Sequence, residues 1–150
     1  MLALSLPQSR YRRAVFWRKQ AVKAGSQTLS GRLYAPASVP DDAGLVLHLH
    51  GGTFDSGSLA SGEAVATTLA EAGAIVISLP YPLAPEARFP QALEIAYAAL
   101  ETIARDKARW VGKRAPLYVA GEEAGGNLAA ALAMMARDRH GPPLAGQILF

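Results

Sequence analysis

Three short runs of consecutive apolar residues, Leu45-Val46-Leu47, Ile75-Val76-Ile77 and Leu117-Tyr118-Val119-Ala120, are separated by segments whose apolar residues recur at helical spacing. A strand with one wet face alternates apolar and polar residues, so uninterrupted runs describe strands covered on both faces, as in a parallel sheet. The intervening stripes are Val65, Thr68, Leu69 and Ala72, then Leu93, Ala96, Tyr97, Leu100 and Ile103, then Leu128, Ala131, Leu132 and Met135. Each fits one face of an amphipathic helix. Gly73 follows the first stripe where a left-handed C-terminal cap is wanted, and Pro90 suits the first turn of the second. Strands and helices therefore alternate from residue 45 to 139, and right-handed crossovers place them in an α/β fold: a mostly parallel sheet with helices on both faces.

The first 44 residues read differently. Ala14-Val15-Phe16-Trp17 and Thr28 to Tyr34 form an expected antiparallel hairpin around Ala24-Gly25-Ser26, and a loop runs from Pro36 to Gly44. At the other end Leu144 to Phe150 begins a further strand, and the sequence stops within it. A chain of 150 residues has room for one core. We therefore expect a single domain over 1–150, with antiparallel strands and loop in 1–44, a β-α-β-α-β-α-β core in 45–150, and truncation in the C-terminal half. An open sheet edge there would invite self-association.

Composition removes several function classes. Apolar residues make up 51% of the chain and charged residues 18%, which is globular rather than disordered. No apolar stretch reaches the roughly 18–20 residues needed to span a bilayer, and Met1 to Leu6 lacks the charged region and length of a signal peptide. A cytoplasmic protein with no membrane partner is expected. The absence of cysteine excludes a disulfide framework, a thiol nucleophile and a cysteine metal site; no metal and no cofactor are expected. Residues 1–40 carry seven Arg/Lys and no acid, among them Arg10, Arg12, Arg13, Arg18, Lys19 and Lys23. With no nucleic-acid motif and with arginines interleaved among apolar residues, this reads as a solvated hairpin face, and no nucleic-acid partner is expected.

The chemistry-bearing segments sit where apolar runs end. Gly121-Glu122-Glu123-Ala124-Gly125-Gly126-Asn127 follows the third run and opens a helix, the build of a nucleophile elbow with glutamate at the serine position. His50-Gly51-Gly52 ends the first run, where that architecture places the N–H donors of an oxyanion hole.

Three motifs in order carry a family resemblance: His50-Gly51-Gly52-Thr53-Phe54, the segment Tyr81-Pro82-Leu83-Ala84-Pro85-Glu86-Ala87-Arg88-Phe89-Pro90, and Gly121 to Asn127. They resemble the HGGG-type loop, the Y-R-L-A-P-E-x-x-F-P segment and the G-D-S-A-G-G-N elbow of the hormone-sensitive-lipase-like branch of the α/β hydrolases, esterases and lipases acting on carboxylic esters. The resemblance covers about residues 28–150, the first half of a family member. It implies oxyanion-hole or ligand-binding roles for Gly51, Gly52, Thr53 and Ala124, with Thr53 replacing a third glycine. It implies structural roles at the site for His50, Gly121, Glu122, Gly125 and Gly126, and places Glu123 at the nucleophile. The family's catalytic Asp and His lie later in its chain.

A carboxylate is already ionised at neutral pH and cannot be activated by deprotonation, so ordinary serine chemistry is excluded at Glu123. The helix is expected to begin near Asn127, and the Glu123 carboxylate is expected to fill the anion site formed by Gly52 and Ala124. His48 and His50 read as hydrogen-bonded core residues, and His140 as a helix C-terminal residue too distant, with Asp138, to serve the elbow. Glu86 reads as bracing and Arg88 as a possible partner of Glu122. Three readings stay open: a catalytically impaired member or ligand-binding pseudoenzyme taking a small ester or acyl ligand; an active hydrolase with Glu123 as carboxylate nucleophile and a histidine from elsewhere; and a fragment or assembly subunit without catalysis.

Overall fold

The computed structural model describes residues 14–150. Arg10, Arg12, Arg13 and the opening Met1 to Leu6 lie outside the described residues. Ten-residue strands β1 (Val15–Ala24) and β2 (Gln27–Pro36) pair antiparallel along their whole length. They are longer than the sequence suggests because the outer part of β1 is exposed and held by its ladder to β2 rather than by burial. Gly25, at φ +62, turns the chain between them without the clash a Cβ would bring in that region.

The apolar runs become β3 (Leu45–Leu49), β4 (Ile75–Leu79) and β5 (Leu117–Gly121), joined by β6 (Gly146–Leu149) in one six-stranded sheet ordered β1-β2-β4-β3-β5-β6. The last four strands in that order are mutually parallel, and β2 meets β4 antiparallel. Every residue of β3 and of β4 is buried, which is why their sequences show no alternation.

Helices α1 (Glu63–Glu71), α2 (Gln91–Arg105) and α3 (Glu123–Asp138) cover this sheet on two faces. Ala66, Leu69 and Ala70 of α1 pack with Val46, Val76 and Ala120 on one side. Leu100 and Ile103 of α2 and Leu128 and Leu132 of α3 pack with Leu47, Ile77 and Val119 on the other. The faces differ because the β3 to β4 connection steps one way along the sheet and the β4 to β5 connection steps back across β3. Right-handed crossovers then diverge, leaving a crevice at the carboxyl ends of β3 and β5, the usual ligand position in open α/β sheets.

Three local expectations are corrected. The buried stripe of α1 runs through Ala66, Leu69 and Ala70, whereas Thr68 and Ala72 are exposed. Val65 is half-buried against the same cluster as expected, and the small Ala66 and Ala70 take the places against the sheet that Thr68 and Ala72 do not. Pro90 caps α2 from just outside, its carbonyl accepting the Glu94 N–H at 3.0 Å, instead of lying in the first turn. Helix α3 begins at Glu123, four residues before Asn127, and takes in both glycines.

The C-terminal caps are well formed. After α1, the Gly73 N–H reaches the Ala70 carbonyl at 2.9 Å and the Ala74 N–H the Leu69 carbonyl at 3.3 Å. Gly73 has φ +111. The same pair of bonds closes α3 through His140 at φ +50 and Gly141, so His140 is a left-handed cap residue at the end remote from the elbow. Among the described residues no helix is long and apolar enough to cross a membrane.

Candidate active site at the strand-to-helix elbow

At the end of β5 the backbone passes from extended at Glu122 (φ −114, ψ 148) to left-handed at Glu123 (φ +50), and then into α3. A non-glycine residue in that region costs about 1–2 kcal/mol unless its surroundings hold it there. The hold is visible on both sides. Glu123 N–H donates to the Phe150 carbonyl at 3.2 Å, and Phe150 N–H donates to the Gly121 carbonyl at 3.0 Å, tying the turn to the adjacent strand end. This sharp strand–turn–helix geometry lifts the side chain at position 123 above the sheet, where it is exposed.

Glycines let the turn and helix lie close against the strand ends. A Cβ on Gly121 would sit 2.2 Å from the Gly125 carbonyl oxygen, and one on Gly125 would sit 2.1 Å from that of Leu49. Both positions therefore exclude side chains on steric grounds. Gly126 has more room, since a Cβ there would sit 3.1 Å from the Gly121 carbonyl oxygen.

Glu123 reaches back across the crevice from this elbow. Its Oε2 accepts the Gly52 N–H at 2.8 Å, and the same oxygen would lie 2.9 Å from a Cβ on Gly51. Ala124 behaves otherwise than the sequence suggests: its N–H points to the Gly52 carbonyl at 3.4 Å, so the carboxylate is held from the glycine loop rather than by both expected donors. The loop concentrates its positive φ values at Gly52 (+136), Phe54 (+68) and Gly57 (+108) and spares Thr53. Gly52 is required, since a Cβ there would also meet the Ser56 carbonyl oxygen at 2.1 Å. Thr53 fits because its own backbone stays out of that region, and its hydroxyl is engaged with Asp55 and, at 2.9 Å, Ser56.

Glu122 does not pair with Arg88. Its Oε2 lies 2.7 Å from Nε2 of the buried His48, whose Nδ1 lies 2.9 Å from Ser78 Oγ. The three side chains form a polar chain beneath the elbow. Burial pushes the Glu122 carboxyl up, but the hydrogen bond and charge of His48, with the nearby N–H groups of Gly51 and Glu122, leave it below the ordinary glutamate value. Its Oε1 is buried without completing a hydrogen bond.

His50 is also buried, with Nδ1 2.8 Å from the Gly51 carbonyl oxygen and its ring stacked on Tyr81 at 4.4 Å between centroids. Burial holds its imidazole below the usual histidine value despite the raising effect of the Gly51 bond, so it is neutral at pH 7. The Tyr81 hydroxyl donates to the His50 carbonyl at 2.9 Å; burial first, then the charges of Glu122 and Glu123, push its phenol up to about 12.

Ser78 and Tyr81 are the site residues that sequence reasoning missed. Ser78 carries a signal, being a hydroxyl inside the apolar run of β4 and in register with His48. Glu86 and Arg88 are exposed, and neither touches the elbow carboxylates through a hydrogen bond or ion pair.

Beside the elbow lies a cavity of about 440 Å³. Phe54 of the glycine loop, Phe89, Leu93 of α2, and Asn127, Leu128 and Ala131 of α3 contribute to its wall. Asn127 stands one helical turn beyond Glu123, on the same face.

Comparison with known proteins places this geometry. A family described as alpha/beta hydrolase fold matches residues 46–150. The chain is 40% identical over 120 residues to the carboxylesterase NlhH of Mycobacterium tuberculosis, covering 79% of this chain and 38% of that protein. It is 38% identical over 133 residues to the esterase LipI of the same organism, covering 87% and 42%. Among solved structures, a bacterial heroin esterase superposes with a TM-score of 0.81 at 31% identity, covering 90% of this chain and 44% of that one. An esterase from the archaeon Pyrobaculum calidifontis gives 0.80 at 36%, covering 88% and 42%. The chain thus spans about two fifths of the length of these relatives. By motif order, sheet topology and shared sequence it belongs to the α/β-hydrolase-fold family, in its hormone-sensitive-lipase-like esterase branch.

Proposed function

We propose that this chain is an esterase-like α/β hydrolase whose serine mechanism is disabled and which retains the capacity to bind a small ester- or acyl-like ligand. The observation that carries this reading is the Glu123 carboxylate, which stands at the elbow and accepts the Gly52 N–H at 2.8 Å. Acyl transfer needs an activated nucleophile beside N–H donors free to meet the developing oxyanion. Glu123 removes the alcohol and occupies a donor at once.

The imidazoles support the same reading. Among the described residues, both ring nitrogens of His48 are engaged by Ser78 and Glu122, His50 is engaged with Gly51, and His140 caps the far end of α3. Attack by Glu123 itself on an ester would give a mixed anhydride and would need a histidine-activated water, and none of these rings is hydrogen-bonded to it. The cavity beside the elbow offers an apolar seat for a ligand body, within the usual size range of roughly 300–1,000 Å³.

A fluorophosphonate probe, which esterifies activated serines, tests this reading. No label should appear on the native chain or on Glu123→Ser, since the latter restores the alcohol without a base. Stoichiometric labelling of the native chain would overturn the proposal.

A further inference from the structure

Resting on that reading, we propose that the cavity beside the elbow takes an amphiphilic amine: an apolar body among Phe54, Leu93 and Leu128, and an ammonium group on the Glu123 carboxylate. The carboxylate and the cavity are bracketed by the same two elements. The glycine loop that holds Glu123 through Gly52 places Phe54 in the cavity wall two residues later. The helix that carries Glu123 places Asn127 in that wall one turn later.

Charge selects the polar end of the ligand. A helix N-terminus carries about +0.5 charge, which alone would favour an anion. Glu123 brings a full negative charge to that position and already takes the Gly52 N–H, so a ligand carboxylate would meet both a like charge and an occupied donor. Glu122, adjacent and held towards its charged form, adds to the negative field, although His48 is bound to it. Among the described residues no lysine, arginine or histidine contributes to the cavity wall. Phe54 and Phe89, 41% and 88% exposed, offer aromatic faces to an approaching cation. The substitution that ends oxyanion binding thereby gives the same crevice a preference for cations.

Isothermal titration of the full chain with octylammonium, octan-1-ol and octanoate separates charge from tail, because the three probes share one hydrocarbon chain. The native protein should bind octylammonium about ten-fold more tightly than octanol, with octanoate weakest. Glu123→Gln keeps the shape and removes the charge, so octylammonium should fall to the level of octanol. Leu93→Trp, which fills the cavity, should weaken both; a melting curve verifies its fold, and if it fails to fold the glutamine variant decides the question. Equal binding of the three probes, octanoate bound most tightly, an ammonium preference that survives in Glu123→Gln, or no binding of any probe would each overturn the proposal. None of those results bears on the missing serine chemistry, which fluorophosphonate labelling reads separately.

Discussion

His48 Nε2 lies 2.7 Å from Oε2 of Glu122, so the residue just before the elbow is fastened to the buried strand β3 across 74 positions of sequence. Ser78 on the neighbouring strand continues the chain at 2.9 Å. The elbow is thus braced from below by polar contacts as well as by the close approach of Gly125 to Leu49.

Removing that brace should be costly. Glu122→Ala leaves a buried imidazole without its partner and is expected to destabilise the fold by about 2 kcal/mol in denaturant titration at pH 7, whereas Glu122→Gln, which keeps an acceptor, should cost less. The pH dependence has a definite sign. The folded carboxyl titrates below the unfolded value of about 4.3, so its stabilisation is complete above that value and is lost as pH falls through the lower folded one. Between pH 5 and 3 the native protein should therefore lose more stability than Glu122→Gln; parallel curves would show that the pair does not contribute.

The paired glycines should differ in tolerance. Gly125→Ala drives a methyl into the Leu49 and His50 carbonyls and is expected to lower stability by about 3 kcal/mol or more. Gly126→Ala meets its nearest neighbour atom at 3.1 Å and gains helix propensity of about 1 kcal/mol, so the two effects should offset to within roughly 1 kcal/mol. Thermal melting of the two variants side by side checks the ranking.

Tyr81 predicts an alkaline limb. Its phenol is raised in the folded state to about 12 from an ordinary value of about 10, so the stability it supplies is whole below pH 10 and is lost as pH rises through about 12. Tyr81→Phe forfeits the hydrogen bond to the His50 carbonyl, at about 1 kcal/mol, and should fall less steeply over that interval. Identical alkaline slopes for the two proteins would contradict this.

The parallel core was legible because double-sided burial leaves no alternation in Leu45–Leu49 or Ile75–Leu79, and the motifs placed Gly52 and Glu123 at neighbouring strand ends. The start of α3 lies four residues earlier than the sequence suggests, because Gly125 and Gly126 admit the helix against a strand end, a close approach that local sequence does not encode. The stripe of α1 differs at Thr68 and Ala72, which are exposed, because close packing against the sheet selects the small Ala66 and Ala70 beside Val65 and Leu69. The partner of Glu122 was hidden for a different reason: the bond to His48 depends on β3 and β5 being neighbours in register, Leu49 opposite Gly121, which local sequence does not encode. Likewise no sequence pattern distinguishes an Ala124 N–H aimed at the Gly52 carbonyl from one aimed at the Glu123 carboxylate.

A carboxylate at the elbow, seated on the Gly52 N–H, should leave no nucleophile for acyl transfer. The most direct measurement is hydrolysis of p-nitrophenyl acetate by the native chain beside Glu123→Ala, with intact-mass analysis of both during turnover. Both proteins should release nitrophenol at the buffer rate, and neither should gain an acetyl group. Turnover well above buffer by the native chain, whether abolished or undiminished in Glu123→Ala, would contradict this.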